Sequence, residues 1–366
     1  MTVSTGVLVD QVEVAAYNIP TDEPESDGTF EWESTTIVVV EAAGGERTGL
    51  GYTYGPAAIG RLVDDELAPL VAGQELDPEA TWKRMGRRLR NAGRPGMGFM
   101  AVAAVDLALW DLRARLEGVP LAELAGLEHA SVPVYGSGGF TSYSLDRLRE
   151  QLAGWVERGI PRVKMKVSRD PAADPGRLDA ARAAIGGETE LYVDANGALS
   201  RQQALHWAER FAFEWGVTWF EEPVSSADLE GLRLVRDRSP DGLDVAAGEY
   251  AYVPADFRNL LAAGAVSCLQ ADVTRCGGLT GLRRAIQLAR EFGVDLSGHC
   301  APAISAHAFA SVPMLRHLEY FHDHVRVEGM LFDGVLEPEA GALQLDLDRP
   351  GNGLELKRRD AQRWQL

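Results

Sequence analysis

The rhythm of hydrophobic and polar positions changes twice along this chain. The stretches "VLVDQVEVAAYNI" and "TTIVVVEAA" are β-branched and either alternate or run apolar over strand length, which predicts two strands. Between them lies "PTDEPESDGTFEWES", rich in Pro, Gly and acids, which predicts a connection that is long for a plain hairpin loop. From about residue 57 the period becomes helical, ending in "GFMAVAAVDLALWDLRARLEG". Strands followed by helices, without alternation, predict an α+β unit.

After residue 130 the elements alternate. "VPVYGSG", "RVKMKV", "LYVDA", "TWFEE", "LDVAAGE", "SCLQAD", "DLSGH" and "HLEYF" are eight short strand candidates. Helical stretches such as "RQQALHWAERFAFEWG" and "TGLRRAIQLAREFG" separate them. Repeating β and α units of this length predict a parallel sheet, and eight strands predict its closure into a barrel. The tail after residue 326, with "PGNGLELKRRD", is expected to leave the barrel and return to the first unit. The expected domains are therefore 1–130, 131–325 and 326–366.

Composition narrows the function classes. The chain has 366 residues, 46% hydrophobic and 25% charged, which suits a globular enzyme with a sizeable core. Its formal net charge of -18 would repel a nucleic-acid backbone, so nucleic acid is excluded as the main partner. No run reaches the roughly 18 to 20 apolar residues of a membrane span. The opening "MTVSTGVLVDQVEV" lacks the basic region and long apolar core of a signal peptide. Cys268, Cys276 and Cys300 are odd in number and show no close pairing, which argues against a disulfide framework. A cytoplasmic protein is expected.

The candidate chemistry sits at the strand ends. Lys166, Asp194, Glu221, Glu249, Asp272, His299 and Glu319 fall at or near the C-terminal ends of successive strands, 20 to 28 residues apart. One ionisable residue at a strand end is most often a polar terminus facing solvent. Seven in step with the βα repeat predict one shared barrel mouth, where barrel enzymes place their active sites. Asp194, Glu221 and Glu249 would repel one another unless neutralised, and an all-oxygen set favours Mg²⁺ over zinc. Lys164 and Lys166 share one face of "VKMKV". Beside those acids, Lys164 would meet substrate oxygen or a ligand carboxylate, and its charge would help hold Lys166 neutral, as a base requires.

These residues resemble the enolase superfamily and, within it, the mandelate racemase group. The resemblance spans nearly the whole chain and rests on order and spacing together: "ALWDLRARLEGVPLAELAG", "VKMKV", "VDANGA", "WFEEPV", "AAGE", "DVTRCGG", "SGHCAPAISAHA", "HLE" and "PGNGLEL". It implies an α+β capping domain, formed by the N-terminal region and the C-terminal tail, over a modified (β/α)7β TIM-type barrel. It also implies Mg²⁺ held at Asp194, Glu221 and Glu249, a substrate carboxylate on that metal, and removal of the α-proton to a metal-stabilised enediolate. His299 with Asp272 falls where this group has its dyad, the aspartate fixing the imidazole tautomer. The muconate-lactonising branch would place a lysine near the end of the sixth strand, where this chain has Arg275 and no lysine. Glu319 matches the position that hydrogen-bonds the substrate carboxylate, for which it would be protonated or share a proton.

Lys166 and His299 then offer bases on two faces of one carbon. Either they shuttle a proton, giving racemisation or epimerisation, or His299 acts as an acid and a β-hydroxyl leaves as water. The second outcome, dehydration of an acid sugar to a 2-keto-3-deoxy acid, is the commoner one in the group and is favoured. A catalytically silent metal-binding scaffold is the rival from outside enzymology, and the intact Lys166, Asp272 and His299 argue against it.

Substrate contacts are expected from Trp32 and Tyr54 in the cap, from Ser137 and Thr141 after the first barrel strand, and from Asn196 and His322. The acids Asp22, Glu23, Glu25, Asp27, Glu31 and Glu33 are expected to be mostly solvated charge on a mobile loop. Several of them facing the site would disfavour a di-acid sugar and could even welcome a cationic substrate. The expected partner is a small acid-sugar-like carboxylate, handled by a homo-oligomer.

Overall fold

A computed structural model describes residues 6–366. Strands β1 (Gln11–Ser26), β2 (Glu31–Gly44) and β3 (Arg47–Tyr54) form an antiparallel sheet in the order β1-β2-β3. The turn from β2 to β3 places Gly45 and Glu46 both at positive φ between Gly44 and Arg47, the backbone a tight two-residue hairpin turn demands. Behind the sheet packs the helix Met97–Glu117, most of whose residues are buried. It carries Asp106, Asp111, Arg113 and Arg115, and among the described residues no helix is long and apolar enough to cross a membrane.

The segment expected to be a long loop is mostly strand. β1 pairs with β2 from Gln11 to Pro20, slips register, and pairs again at Glu25 and Ser26, so only residues 27–30 connect the two strands. Its composition misled because the register slip accommodates Pro20 and the polar residues after it, a device that bends a strand and re-aims its end.

Eight parallel strands close the barrel: β4 (Ser131–Gly138), β5 (Arg162–Lys166), β6 (Glu190–Asp194), β7 (Val217–Glu221), β8 (Asp244–Ala247), β9 (Cys268–Ala271), β10 (Asp295–Gly298) and β11 (Leu315–Phe321). Each pairs with the next, and β11 returns to β4 through Leu318↔Val134 to Phe321↔Ser137. Helices fill each crossover, so the expected barrel with an N-terminal cap is the fold. Inside, Tyr135, Tyr192 and Trp219 fill a layer with His317, the Tyr192 and Trp219 rings stacked at 5.4 Å. That packed floor leaves only the mouth above it for chemistry.

Beyond β11 the helix His322–Leu331 lies under the cap, where Glu328 accepts a hydrogen bond from Tyr52 at 2.7 Å. The tail then pairs with β4 through Ala342–Gln344 and reaches the cap at Asn352, which donates to the Leu50 carbonyl. Asp111 on the long helix accepts from the backbone N–H groups of both Leu50 and Asn352.

The cap tip is pressed onto the barrel mouth. A Cβ on Gly28 would come within 2.5 Å of the Ala195 carbonyl and 3.0 Å of that of Val167, so no side chain fits there. Thr141 fastens the tip: its N–H donates to the Ser26 carbonyl, and its hydroxyl lies 2.6 Å from that of Ser26.

Candidate active site

Parallel register sets the charged residues side by side. Lys166 is paired with Asp194 and Asp194 with Glu221, all pointing into the barrel, while Val163 and Met165 face the surrounding helices. Glu249, Asp272 and His299 follow one or two residues after the ends of β8, β9 and β10. All seven strand-end residues are buried, and they converge.

Ligand oxygens of Asp194, Glu221 and Glu249 lie within 4.8 Å of one another. Lys164 Nζ is 2.6 Å from Glu221, 2.9 Å from Glu319 and 3.7 Å from Asp194, and lies 5.2 Å from the centroid of the Tyr135 ring beneath it. Lys166 Nζ is 2.5 Å from Asp194 Oδ2. Glu249 Oε2 lies 3.2 Å from His299 Nε2 and makes no hydrogen bond among the described residues. Three buried carboxylates, oxygens only, one of them with an oxygen that accepts no hydrogen bond, fit a hard divalent cation.

The electrostatics follow from crowding. Burial and Asp194 raise the Glu221 carboxyl to about 7 against the pull of Lys164. Burial alone would lower Lys166; Asp194 and the other acids outweigh it, with Lys164 pushing back, and the net shift is upward. The effect of Lys164 thus has the expected sign, but the carboxylates override it. His299 is also raised, because Cys300, Glu249, Glu319 and the Asp272 hydrogen bond outweigh its burial.

Glu319 departs from expectation. Burial would raise its pKa, yet Lys164 and His299 drive it down. Oε1 accepts from Ser137 at 2.5 Å and from Lys164, and Oε2 accepts from the Cys300 N–H at 3.1 Å. A carboxylate with that many donors stays ionised.

Between cap and barrel lies a cavity of about 410 Å³. Lys166, Glu249, His299, Glu319 and Asn196 line its barrel side, and Trp32 and Tyr54 its cap side. Lys164, Asp194 and Glu221 lie below it, and Asp272 behind His299, with Asp272 Oδ2 2.8 Å from Nδ1. Three expected contacts are engaged elsewhere. Ser137 donates to Glu319, Thr141 clasps Ser26 and Asp27, and His322 Nε2 lies 3.1 Å from Asp22. Hydroxyls and imidazoles near a mouth satisfy internal partners first when these are within reach.

Glu25 is also not solvated. It is buried, accepts from Trp32 Nε1 at 2.9 Å, and its carboxyl is raised to about 9 by burial and by Asp323. Of the cap acids, Asp27 lines the cavity.

Some site residues escaped the sequence reading. Arg275 enters the cavity wall 3.5 Å from Glu249 and 3.6 Å from Asp272, although its position drew attention only for lacking a lysine. Tyr250 and Cys300 line the wall too. His324, by contrast, is read from the sequence along with His322 in "YFHDHVR" as a border of the pocket, and it lines the wall while its ring stacks on Tyr54 at 3.4 Å, with burial lowering its pKa to about 3. The backbone carries strain at these ends: Ser168, Asn196, Glu222, Cys300 and Ala301 all have positive φ just past β5, β6, β7 and β10. Non-glycine residues in that region cluster where a site over-determines the chain.

A capped eight-stranded barrel with three buried acids, a lysine pair and a His–Asp pair at its mouth is the arrangement of the enolase class of enzymes. Family models agree: residues 11–126 match the mandelate racemase / muconate lactonizing enzyme N-terminal domain and residues 147–361 the enolase C-terminal domain-like family. The chain belongs to the enolase superfamily, in its mandelate racemase group. It is 32% identical, over 95% of its length and 97% of the relative's, to 3,6-anhydro-alpha-L-galactonate cycloisomerase of Streptomyces coelicolor. A mandelate racemase/muconate lactonizing enzyme-like protein from Rubrobacter xylanophilus shares 59% identity and superposes with a TM-score of 0.96, over 98% of this chain and 100% of that one. L-talarate/galactarate dehydratase from Salmonella typhimurium, solved with Mg and L-lyxarohydroxamate, is 28% identical with a TM-score of 0.90, over 99% and 94%.

Proposed function

We propose that this chain is a Mg²⁺-dependent lyase that removes the proton α to a carboxylate and expels a β-hydroxyl from an acid sugar, giving a 2-keto-3-deoxy acid. The observation that carries this reading is the pair of proton carriers at one cavity. Lys166 ends β5, and His299, backed by Asp272, lies just after β10, three strand positions away around the ring.

In this reading Asp194, Glu221 and Glu249 are the metal ligands. Bound there, Mg²⁺ supplies Lewis-acid charge for the substrate carboxylate and takes up the carboxylate charge that otherwise keeps Lys166 protonated. Lys164 then pushes Lys166 toward the neutral form, which accepts the α-proton. Asp272 accepts from His299 Nδ1 and so directs Nε2 at the cavity. The imidazolium donates its Nε2 proton to the β-hydroxyl, which leaves as water as the double bond forms, and the enol product ketonises. Glu319, ionised and held by Ser137, Lys164 and Cys300, serves as an acceptor for a substrate hydroxyl.

The cap residues at the cavity include Asp27, Trp32, Ser34, Thr35, Thr36 and Tyr54, and no lysine or arginine of the cap lines it among the described residues. Hydroxyls and aromatic faces suit a sugar chain, and the missing cation disfavours a second carboxylate at the far end. A mono-acid sugar is therefore the substrate class. The setting assumed is a cytoplasmic homo-oligomer, with the chain divided at 1–130, 131–325 and 326–366.

The dehydratase name of the Salmonella relative supports this reading. Proton transfer without loss of water is the second reading, favoured by the same two carriers and by the cycloisomerase name of the Streptomyces relative. A silent scaffold would have no use for a hydrogen-bonded His299–Asp272 pair beside a cavity. The deciding experiment is a screen of mono- and di-acid sugars with Mg²⁺ for 2-keto acid formation. Absence of any keto product, with α-deuterium incorporated from D₂O, would favour the second reading.

A further inference from the structure

Cys300 lines the cavity wall, and the proposed reaction makes no use of its thiol. Its backbone and that of Ala301 turn through positive φ, which brings the thiol back against the site. Sγ lies 3.4 Å from His299 Nε2 and 3.3 Å from Glu319 Oε2, and those two atoms are 3.5 Å apart. A nitrogen, a sulfur and an oxygen thus form a nearly equilateral triangle. Tetrahedral zinc, with bonds of about 2.0–2.2 Å to N or O and about 2.3 Å to S, needs ligand separations of about 3.3 to 3.6 Å. The triangle has the dimensions of one face of that tetrahedron.

Other features agree. The three residues are buried but all line the cavity, so an ion has an entry path and an open fourth position. Both neighbouring partners leave the ligand atoms in place: Asp272 holds the opposite ring nitrogen of His299, while Ser137 and Lys164 hold the other oxygen of Glu319. Such supports commonly orient metal ligands. Thiolate and imidazole select a softer ion than the all-oxygen set of Asp194, Glu221 and Glu249.

We infer that His299, Cys300 and Glu319 form a second metal site, for Zn²⁺ or a similar borderline-soft divalent ion, distinct from the Mg²⁺ site. As the ion binds, the Cys300 thiol proton and the Nε2 proton of the His299 imidazolium both leave to solvent. The ion occupies the Nε2 lone pair of His299, so it also stops proton transfer there. That consequence, unlike the site itself, rests on the role given to His299 above.

The test uses full-length protein in excess Mg²⁺, titrated with Co²⁺ as a spectroscopic stand-in. One equivalent should give a near-ultraviolet thiolate-to-cobalt charge-transfer band that Zn²⁺ abolishes by displacement. The band should persist in Asp194→Asn, which cripples the all-oxygen site, and vanish in Cys300→Ser. No band in the wild-type chain, or a band that survives Cys300→Ser, would overturn the site. Alkylation of the wild-type chain guards against a misfolded variant: Zn²⁺ should protect Cys300 from iodoacetamide where Mg²⁺ does not, and equal labelling would again overturn the site. Bound zinc should stop keto-acid formation while Lys166 still exchanges the α-proton; bound zinc with undiminished keto-acid formation would leave the site standing and overturn the role given to His299.

Discussion

His299 Nδ1 lies 2.8 Å from Asp272 Oδ2, which directs the other ring nitrogen toward the cavity that Lys166 also lines. The two carriers should be separable by isotope. In D₂O, His299→Asn should still exchange the substrate α-proton through Lys166 but form no keto acid. Lys166→Ala should lose both exchange and product. Each should reduce turnover by about 10²- to 10⁴-fold, the usual cost of a positioned acid or base. Asp272→Asn should fall too, since an amide can stabilise the wrong tautomer. Mass spectrometry of recovered substrate checks the exchange, and wild-type turnover in all three variants would refute the assignment.

The three acids should separate into two kinds by stability. Asp194→Ala, Glu221→Ala and Glu249→Ala should each lose Mg²⁺ binding by calorimetry. Glu221→Ala also strips Lys164, fully buried, of its 2.6 Å partner. Removing one member of an isolated buried pair costs about 3–5 kcal/mol; Glu319 at 2.9 Å still answers Lys164, so the cost here is a part of that. Glu221→Ala should therefore unfold at a clearly lower temperature than Glu249→Ala, and Lys164→Met added to it should recover part of the loss. Equal melting temperatures for the two single variants would show that Lys164 does not depend on Glu221.

What the sequence made legible was whatever the βα repeat controls. Lys166, Asp194 and Glu221 are neighbours because parallel strands of equal length end together, so spacing alone brings them to one place. What it concealed was which partner each polar group would choose. Ser137 and Thr141 read as free hydroxyls, yet each is engaged by a residue more than 100 positions away. Glu319 read as a proton donor because burial favours the neutral acid, and no local pattern reveals that Lys164, 155 positions before it, lies within 2.9 Å. The Pro- and acid-rich cap segment concealed a strand for a similar reason: its register slip is a property of the pair, not of β1 alone.

Asp106 predicts a pH dependence of folding. Buried on the long helix, it accepts from Thr280 N–H at 2.9 Å and from Thr280 Oγ1 at 2.7 Å, at the start of the helix Gly278–Phe292. Burial raises its carboxyl from 3.8 to about 7, against those hydrogen bonds. The folded state then holds the proton more tightly than the unfolded one, so Asp106 costs stability increasingly as pH rises from about 4 to about 7, and no further above that. Asp106→Asn cannot titrate. Its disadvantage relative to wild type should be greatest below about pH 4 and should shrink by about 2 kcal/mol between pH 5 and pH 8, from a shift of this size. Urea unfolding at both values checks the sign, and a disadvantage that grows with pH would contradict it.

The last prediction concerns the far end of the substrate. Asp27 faces the cavity from the cap, and no cap lysine or arginine does so among the described residues. Arg275 is in the wall but already lies 3.5 Å from Glu249 and 3.6 Å from Asp272, so its charge is answered from the barrel side. His324 stays neutral, since burial lowers its pKa to about 3. A mono-acid sugar ends in a hydroxymethyl group that Asp27 and the Ser34–Thr36 run can hydrogen-bond, whereas a di-acid brings a carboxylate into an acidic wall. For a pair of sugars differing only at that terminus, kcat/KM should favour the mono-acid by at least about tenfold, or about 1.4 kcal/mol of transition-state binding. Asp27→Asn should narrow the ratio chiefly by improving the di-acid, and Asp27→Lys should reverse it. A wild-type preference for the di-acid would mean that the cap does not select the substrate by charge.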